Sequence, residues 1–204
     1  MCVFCRYQQI KMGEEFAINK TFDKINFEEI TLSSKEYENC IFTNCNFAGT
    51  NLSEIKFVDC SFTDCNFSNA KITNTLFRDA KFKNCKMLGM GFDKCSDFGL
   101  SFEFDNCILD HSTFYRKKIK QTVFRNSQLK ETDFTECDLT GSLFENCDLT
   151  NAHFENTILE KSDLRTSTNY SIDPEINKLK KAKFSLSQLA GLLDKYDIII
   201  DRTD

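Results

Sequence analysis

Large apolar residues recur every five positions along most of this chain, a spacing that neither a helix nor a simple strand uses. They stand at Phe22, Phe27, Leu32, Tyr37, Phe42, Phe47, Leu52, Phe57, Phe62, Phe67, Ile72, Phe77, Phe82, Met87 and Phe92. The frame slips through Asp93–Glu103, then resumes at Phe104 and runs in steps of five to Leu164. These 28 centres hold 16 of the 21 Phe, so the repeat accounts for the aromatic excess. Two residues before each centre, 20 of the 28 positions are Cys, Ala, Ser or Thr. A helix would repeat at 3.6 residues and a half-buried strand at two. One large and one small inward residue per five means a solenoid whose chain turns after every unit.

The exposed positions set the number of sides. Asn106, Asn126 and Asn146 recur by twenty, and so do Asp105, Arg125, Glu145 and Arg165, which alternate in sign. Stacked backbones lie ~4.8 Å apart, where Asn ladders and opposite charges attract. Four sides per coil is the economical solution. The expected fold is therefore all-β, a four-sided β-helix of about seven coils and roughly 30–35 Å. Residues 1–21 precede it as a partly flexible segment, 22–166 form the coils with an irregularity at 93–103, and 167–204 form a cap and dimerisation segment.

Composition narrows the setting. Eleven Cys in an odd count argue against a complete disulfide framework. The first residues, MCVFCRYQQIKMGEEF, contain no apolar run of secretory length, and no stretch approaches a membrane span. The expectation is a cytoplasmic chain with reduced thiols. Met12 offers a second start beside Met1. A net charge of −5 gives no bulk attraction to nucleic acid or membrane.

Units such as Cys-Asn-Phe-Ala-Gly at 45–49, Ala-Lys-Ile-Thr-Asn at 70–74 and Cys-Asp-Leu-Thr-Gly at 137–141 resemble the pentapeptide-repeat family. The family pattern is Ala, then Asp or Asn, then Leu or Phe, then two freer residues. The resemblance covers about 22–165 and implies a right-handed quadrilateral β-helix. This chain departs from the pattern by preferring Cys over Ala and Phe over Leu.

Three places break the rule. Around Cys95–Phe102 the frame gains two residues, with Gly99 to bend the backbone. Lys35 and Lys117 fall at inward positions, where a lone buried ammonium would cost several kcal/mol, so bulges or loops are expected there. Past the last repeat come Pro174, a short strand Ala182–Phe184, an α-helix from Ser185 or Ser187 to about Lys195, and a strand through Ile198, Ile199 and Ile200. Leu189, Leu192, Leu193 and Tyr196 share one helix face. With the three isoleucines they either cap the last coil or bury a two-fold interface. The tail is similar to that of the quinolone-resistance (Qnr-like) branch, which implies a homodimer and a DNA-mimicking binder of DNA gyrase or topoisomerase IV.

Chemistry is sparse. Cys45, Cys65 and Cys85 stack in one column and Cys40 with Cys60 in another, beside phenylalanines, and read as packing. Cys2 and Cys5 have a short spacing but no second ligand pair. His111 and His153 both fall at outward positions without a nucleophile signature. No cofactor, metal or enzymatic activity is expected. Between Glu131 and Leu164 nine acids face one base, Lys161, whereas Lys71–Met90 has five bases to one acid. Glu131, Asp133, Glu136, Asp138, Glu145, Asp148 and Glu155 are the candidate contacts to a type II topoisomerase, with the exposed cluster of Tyr115, Arg116 and Lys118 as a second contact. The alternative is a protein scaffold with no topoisomerase partner.

Overall fold

Five residues per side leave room for only three in extended conformation before the chain must turn. In the computed structural model, which describes residues 15–201, the strands are accordingly about three residues long. β1 (Phe16–Ile18), β3 (Glu36–Glu38), β5 (Lys56–Val58) and β7 (Leu76–Arg78) form a parallel ladder on side one. β2 (Thr21–Asp23), β4 (Ile41–Thr43), β6 (Ser61–Thr63), β8 (Ala80–Lys83), β9 (Phe102–Asp105), β10 (Val123–Arg125) and β11 (Leu143–Glu145) form a seven-stranded one on side two. Sides three and four are joined by single parallel bridges, such as Asn46↔Asn66 and Thr113↔Asp133. The result is the four-sided parallel β-solenoid the repeat calls for.

Register follows the sequence period. Phe22, Phe42, Phe62 and Phe82 pair by twenty, Phe82 pairs with Phe104, and Phe124 and Phe144 continue by twenty. The two extra residues before Phe104 are thus absorbed within one coil. Inside, the rings stack along each column, with Phe124 and Phe144 centroids 4.9 Å apart, and meet neighbouring columns edge-on, as for Phe114 and Phe124 at 5.9 Å. The small inward residue closes a backbone bond to the coil below. Thr75, Thr157 and Ser167 donate to Leu52, Phe134 and Phe144 carbonyls at 2.8 Å. Most of these buried hydroxyls and thiols are tolerated because they find an acceptor, although the Thr50 hydroxyl is buried without one.

Several expectations change. The coils begin before residue 22: β1 pairs with β3, and Ala17 occupies the inward slot where Tyr37 and Phe57 follow. An alanine at a centre position hides that first coil from a search for large residues. They also continue past 166. Asn177 is inward, its amide donating to Phe154 O at 2.9 Å and accepting from Thr157 N at 2.8 Å, and Lys178 and Lys183 bridge to Ile158 and Asp163. Lys117 makes no bulge. Its backbone N donates to Phe114 O at 3.0 Å, like its counterparts in other coils, and its ammonium is partnered. At Lys35 the chain does leave the frame: Ser34 turns inward and Lys35 is exposed.

The tail is not α-helical. Two 3-10 segments, Leu186–Leu192 and Asp194–Tyr196, cross the last coil, and Ile172 N donates to Gly191 O at 2.8 Å. Gly191 is required by that approach, since a Cβ would lie 2.0 Å from Tyr170 O. Ile198–Ile200 form no strand, having no ladder partner among the described residues. Met1, Met12, Cys2 and Cys5 lie outside the described residues.

Candidate functional site

The acids between 131 and 155 occupy two kinds of position with different duties. Asp133, Asp138 and Asp148 precede a centre, and each carboxylate accepts the backbone N–H two residues on, Thr135 at 2.9 Å, Thr140 at 3.1 Å and Thr150 at 3.2 Å. Asn46 and Asn66 do the same for Ala48 and Ser68 at 3.1 Å. These are Asx turns, so an acid here is first a turn former. Desolvation works against ionised Asp148, but hydrogen bonds from Thr150 and Asn169 and the Lys130 ammonium outweigh it and hold its pKa at about 2. Glu131 and Glu136 instead sit at corners with φ of 53° and 56°, the left-handed region.

The coils place these acids on every side of the rod. Asp138 lies on side one, Glu145 on side two, Glu131 and Asp148 on side three, and Asp133, Glu136 and Glu155 on side four. Glu136, Asp138, Glu145 and Asp148 each face an Arg or Lys on a neighbouring coil, and of these only the Arg125–Glu145 pair follows from the alternating charges noted in the sequence. Arg125 reaches Glu145 at 2.6 Å, Lys120 reaches Asp138 at 3.2 Å, Lys130 reaches Asp148 at 3.2 Å, and His111 lies 3.2 Å from Glu131. A twenty-residue offset marks Arg125 with Glu145, whereas Lys120–Asp138 and Lys130–Asp148 are eighteen apart, a spacing that the repeat does not flag. Asp133 and Glu155 have no ion pair among the described residues.

The Tyr115–Lys118 cluster is not separate from the acids. Arg116 grips Glu136 with two bonds, 2.7 and 3.1 Å, its guanidinium lies 4.7 Å from the Tyr115 ring centre, and Tyr115 OH donates to Glu136 at 3.4 Å. Arg116 holds the Glu136 carboxyl below the usual carboxylate range. Lys118 is exposed on side one. Between them Lys117 runs inward and donates to Cys95 O and Asp97 Oδ1, both at 2.7 Å. It thereby ties down the 95–101 insertion, whose Phe98 is 73% exposed.

At the C-terminal end, Leu192 packs on the core and seals it. Leu189, Leu193, Tyr196, Ile198 and Ile200 are exposed and Ile199 is 99% so, together with Leu186, which the helix-face argument omitted. Lys195 latches the segment through Asp173 at 2.8 Å and Glu175 at 2.5 Å, and Tyr196 OH donates to Glu175 at 2.8 Å. The cysteines from Cys40 to Cys147 are free and buried. Burial pushes the Cys137 thiol up and Cys147 up to about 12. His111 and His153 are exposed. Among the described residues no group of three or more His, Cys, Asp or Glu could hold a metal, and no helix is long and apolar enough to cross a membrane.

Comparison with known proteins adds a family and a fold. The profile described as a pentapeptide repeat region matches residues 35–103 and 96–171. No curated protein matches. Among solved structures, a trypsin-treated variant of QnrB1, a plasmid-mediated fluoroquinolone resistance protein, is 17% identical with a TM-score of 0.53, over 93% of this chain and 100% of that one. Full-length QnrB1 is 18% identical with a TM-score of 0.48, over 90% and 100%. HetL, a pentapeptide repeat protein involved in heterocyst differentiation regulation in the cyanobacterium Nostoc sp. strain PCC 7120, is 15% identical with a TM-score of 0.33, over 89% and 92%.

Proposed function

The chain belongs to the pentapeptide-repeat family, and from that premise we propose that it acts by binding, without catalysis, as a rod that docks on a type II topoisomerase. The partner is DNA gyrase or topoisomerase IV, and docking protects it from quinolones or gyrase toxins. The observation that carries this reading is a rod that matches the fold of a trypsin-treated QnrB1 variant over the whole of that chain. The acidic C-terminal coils support it, because a negative surface is what a basic DNA-binding saddle attracts. Glu131, Asp133, Glu136, Asp138, Glu145, Asp148 and Glu155 supply the contact, with Tyr115, Arg116 and Lys118 beside it. Asp133 and Glu155 carry it furthest, since they share side four and make no ion pair among the described residues.

In this reading the protein is a cytoplasmic homodimer. The exposed Leu189, Leu193, Tyr196, Ile198, Ile199 and Ile200 meet a second copy, with Leu192 holding the tail on its own coil. Two acidic halves then form the centre of a longer rod.

The test is a gyrase supercoiling assay titrated with the protein, with and without a fluoroquinolone. Relief of drug-stabilised cleavage, or direct inhibition, is expected. Replacing Glu131, Glu136, Glu145 and Glu155 by Gln avoids the turn-forming Asp positions and sets no cation against Arg116 or Arg125, so it should abolish the effect and leave the coils folded. Unchanged activity in that variant sinks the electrostatic account. A second reading, a scaffold with no topoisomerase partner, is favoured by the ion pairs that already neutralise several acids across coils. Under it, a pull-down from lysate recovers another stoichiometric partner, held without strong salt dependence.

A further inference from the structure

The first coil joins the second on three sides, by Phe16 to Glu36, Thr21 to Ile41 and Asn26 to Asn46. On side four no bridge joins them among the described residues, and the ladder begins only with Asn51 to Lys71. In a parallel ladder a residue turns its N–H and C=O to one neighbour. Asn46 turns its pair to the first coil, donating to Ile25 O at 2.9 Å and accepting from Phe27 N at 2.8 Å. Lys71 does the same one coil later, with Thr50 O at 2.9 Å and Leu52 N at 2.8 Å. The N–H and C=O of Asn51 therefore point to the first coil, and no described residue meets them there.

A side chain records the same gap. Ser112 and Thr132, at the matching position of later coils, donate to the Met87 and Leu109 carbonyls at 2.9 and 3.2 Å, whereas Thr50 Oγ1 is buried without a partner. Where the two coils part, a cleft of about 500 Å³ opens between apolar walls of Phe27, Leu32, Ala48 and Ile55, with Asn51 in it and Glu28 at its edge. Glu28 and its neighbour Glu29 meet only the Asn46 and Asn26 amides among the described residues, and no Lys or Arg lines the cleft. An unpaired main-chain edge beside apolar walls is what an extended peptide recognises, and an uncompensated acidic rim favours a basic one.

We propose that this cleft takes up an extended segment of a partner protein, apolar residues flanked by Lys or Arg, as an added strand on side four. One carbonyl of the segment accepts from Asn51 N–H and one of its amides donates to Asn51 O. Its apolar side chains cover Phe27, Leu32 and Ile55, and its cations lie against Glu28 and Glu29. The cleft belongs to the first two coils, away from the acids at 131–155, so it is separate from the topoisomerase contact.

The test titrates the full chain, labelled with nitrogen-15, with the peptide acetyl-Lys-Val-Thr-Val-Lys-amide and follows the backbone amides by NMR. The Asn51 amide proton should move downfield and the amides of 48–55 should shift with it. Ala48 and Ser68 hold the same outward position in adjacent coils, and only Ala48 lines the cleft. Ala48→Trp should therefore weaken binding by about tenfold or more, and Ser68→Trp should leave it unchanged. The amides of Thr and of the two Val leave opposite edges of an extended peptide, so methylating one set should abolish binding and methylating the other should spare it. Replacing both peptide Lys by Glu should weaken binding, and added salt should weaken the original peptide. No shift at 48–55, equal binding by Ala48→Trp, or equal loss from methylating either edge overturns the proposal. So does an Asn51 amide that exchanges slowly in the free full chain and quickly once residues 1–14 are removed, because the chain itself then fills the cleft.

Discussion

Most five-residue units send one residue into left-handed backbone, where asparagine, aspartate and glycine are at least cost. Asn84, Asn106, Asn126 and Asn146 fill such corners with φ between 51° and 54°, and their amides join successive coils, as Asn146 does to Asn126 at 3.1 Å. Arg116 and Glu136 lack that ease, and their mutual ion pair is what such corners receive in exchange. Two positions further along, the Asx-turn acids make stability depend on pH. Asp148 is held at about 2 as described, and Asp163 is held at about 2 chiefly by the Arg165 guanidinium. Both lie below the ~3.9 of an unfolded aspartate. Their contribution is therefore complete above about pH 4 and is lost as pH falls through about 2. Thermal melts across that window should show a falling Tm, and Asp148→Asn with Asp163→Asn should flatten the fall while keeping the turns. In the core, Phe124 is fully buried between Phe104 at 5.2 Å and Phe144 at 4.9 Å. Phe124→Ala should cost about 3–5 kcal/mol in urea unfolding, because rigid coils above and below cannot close the cavity.

The coil is the element, and its tolerance of insertion is set by what fills the gap left inside. At 95–101 the side-one centre would be Asp97, which turns outward, while Phe102 and Lys117 enter the interior instead. Phe102 rests on Phe77 at 5.7 Å, replacing the missing ring. Lys117 survives burial because a carbonyl and a carboxylate receive its ammonium. Lys117→Met keeps the volume but leaves Cys95 O without its donor, so it should destabilise by about 1–3 kcal/mol. Hydrogen exchange should quicken at 96–101 and stay unchanged three coils away. Uniform quickening along the rod would mean that the lysine stabilises the whole solenoid and does not specifically anchor the insertion. The sequence located this insertion and its length. It did not reveal the anchor, because a lysine at an inward position carries no mark of the partner it will meet one coil away.

For the whole molecule, stacking makes neighbours of residues twenty apart, and the ends decide its assembly. Acids counted along the chain as a block of nine are dispersed around four sides, so net charge by segment overstates any single acidic face. The bare apolar end is a different matter. Ile199 is 99% exposed, so Ile199→Lys tests the proposed contact to a second copy without disturbing the coils. Sedimentation should read a dimer for the natural sequence and a monomer for this variant, with the same melting temperature at high dilution. A monomer in both proteins would assign the tail to capping alone.

The period of five, the inward large and small residues and the twenty-residue register are local rules repeated many times, so the sequence by itself determined the solenoid and its sides. Features that occur once had no repetition to expose them. The first coil rests on Ala17 and the last on Asn177, each acceptable only because of what the neighbouring coil presents. The tail became 3-10 and not α because Gly191 must lie against Tyr170 and receive the Ile172 N–H. Which acids are neutralised was likewise decided by tertiary structure, since an ion pair depends on the cation one coil away and on the direction each side chain leaves the rod.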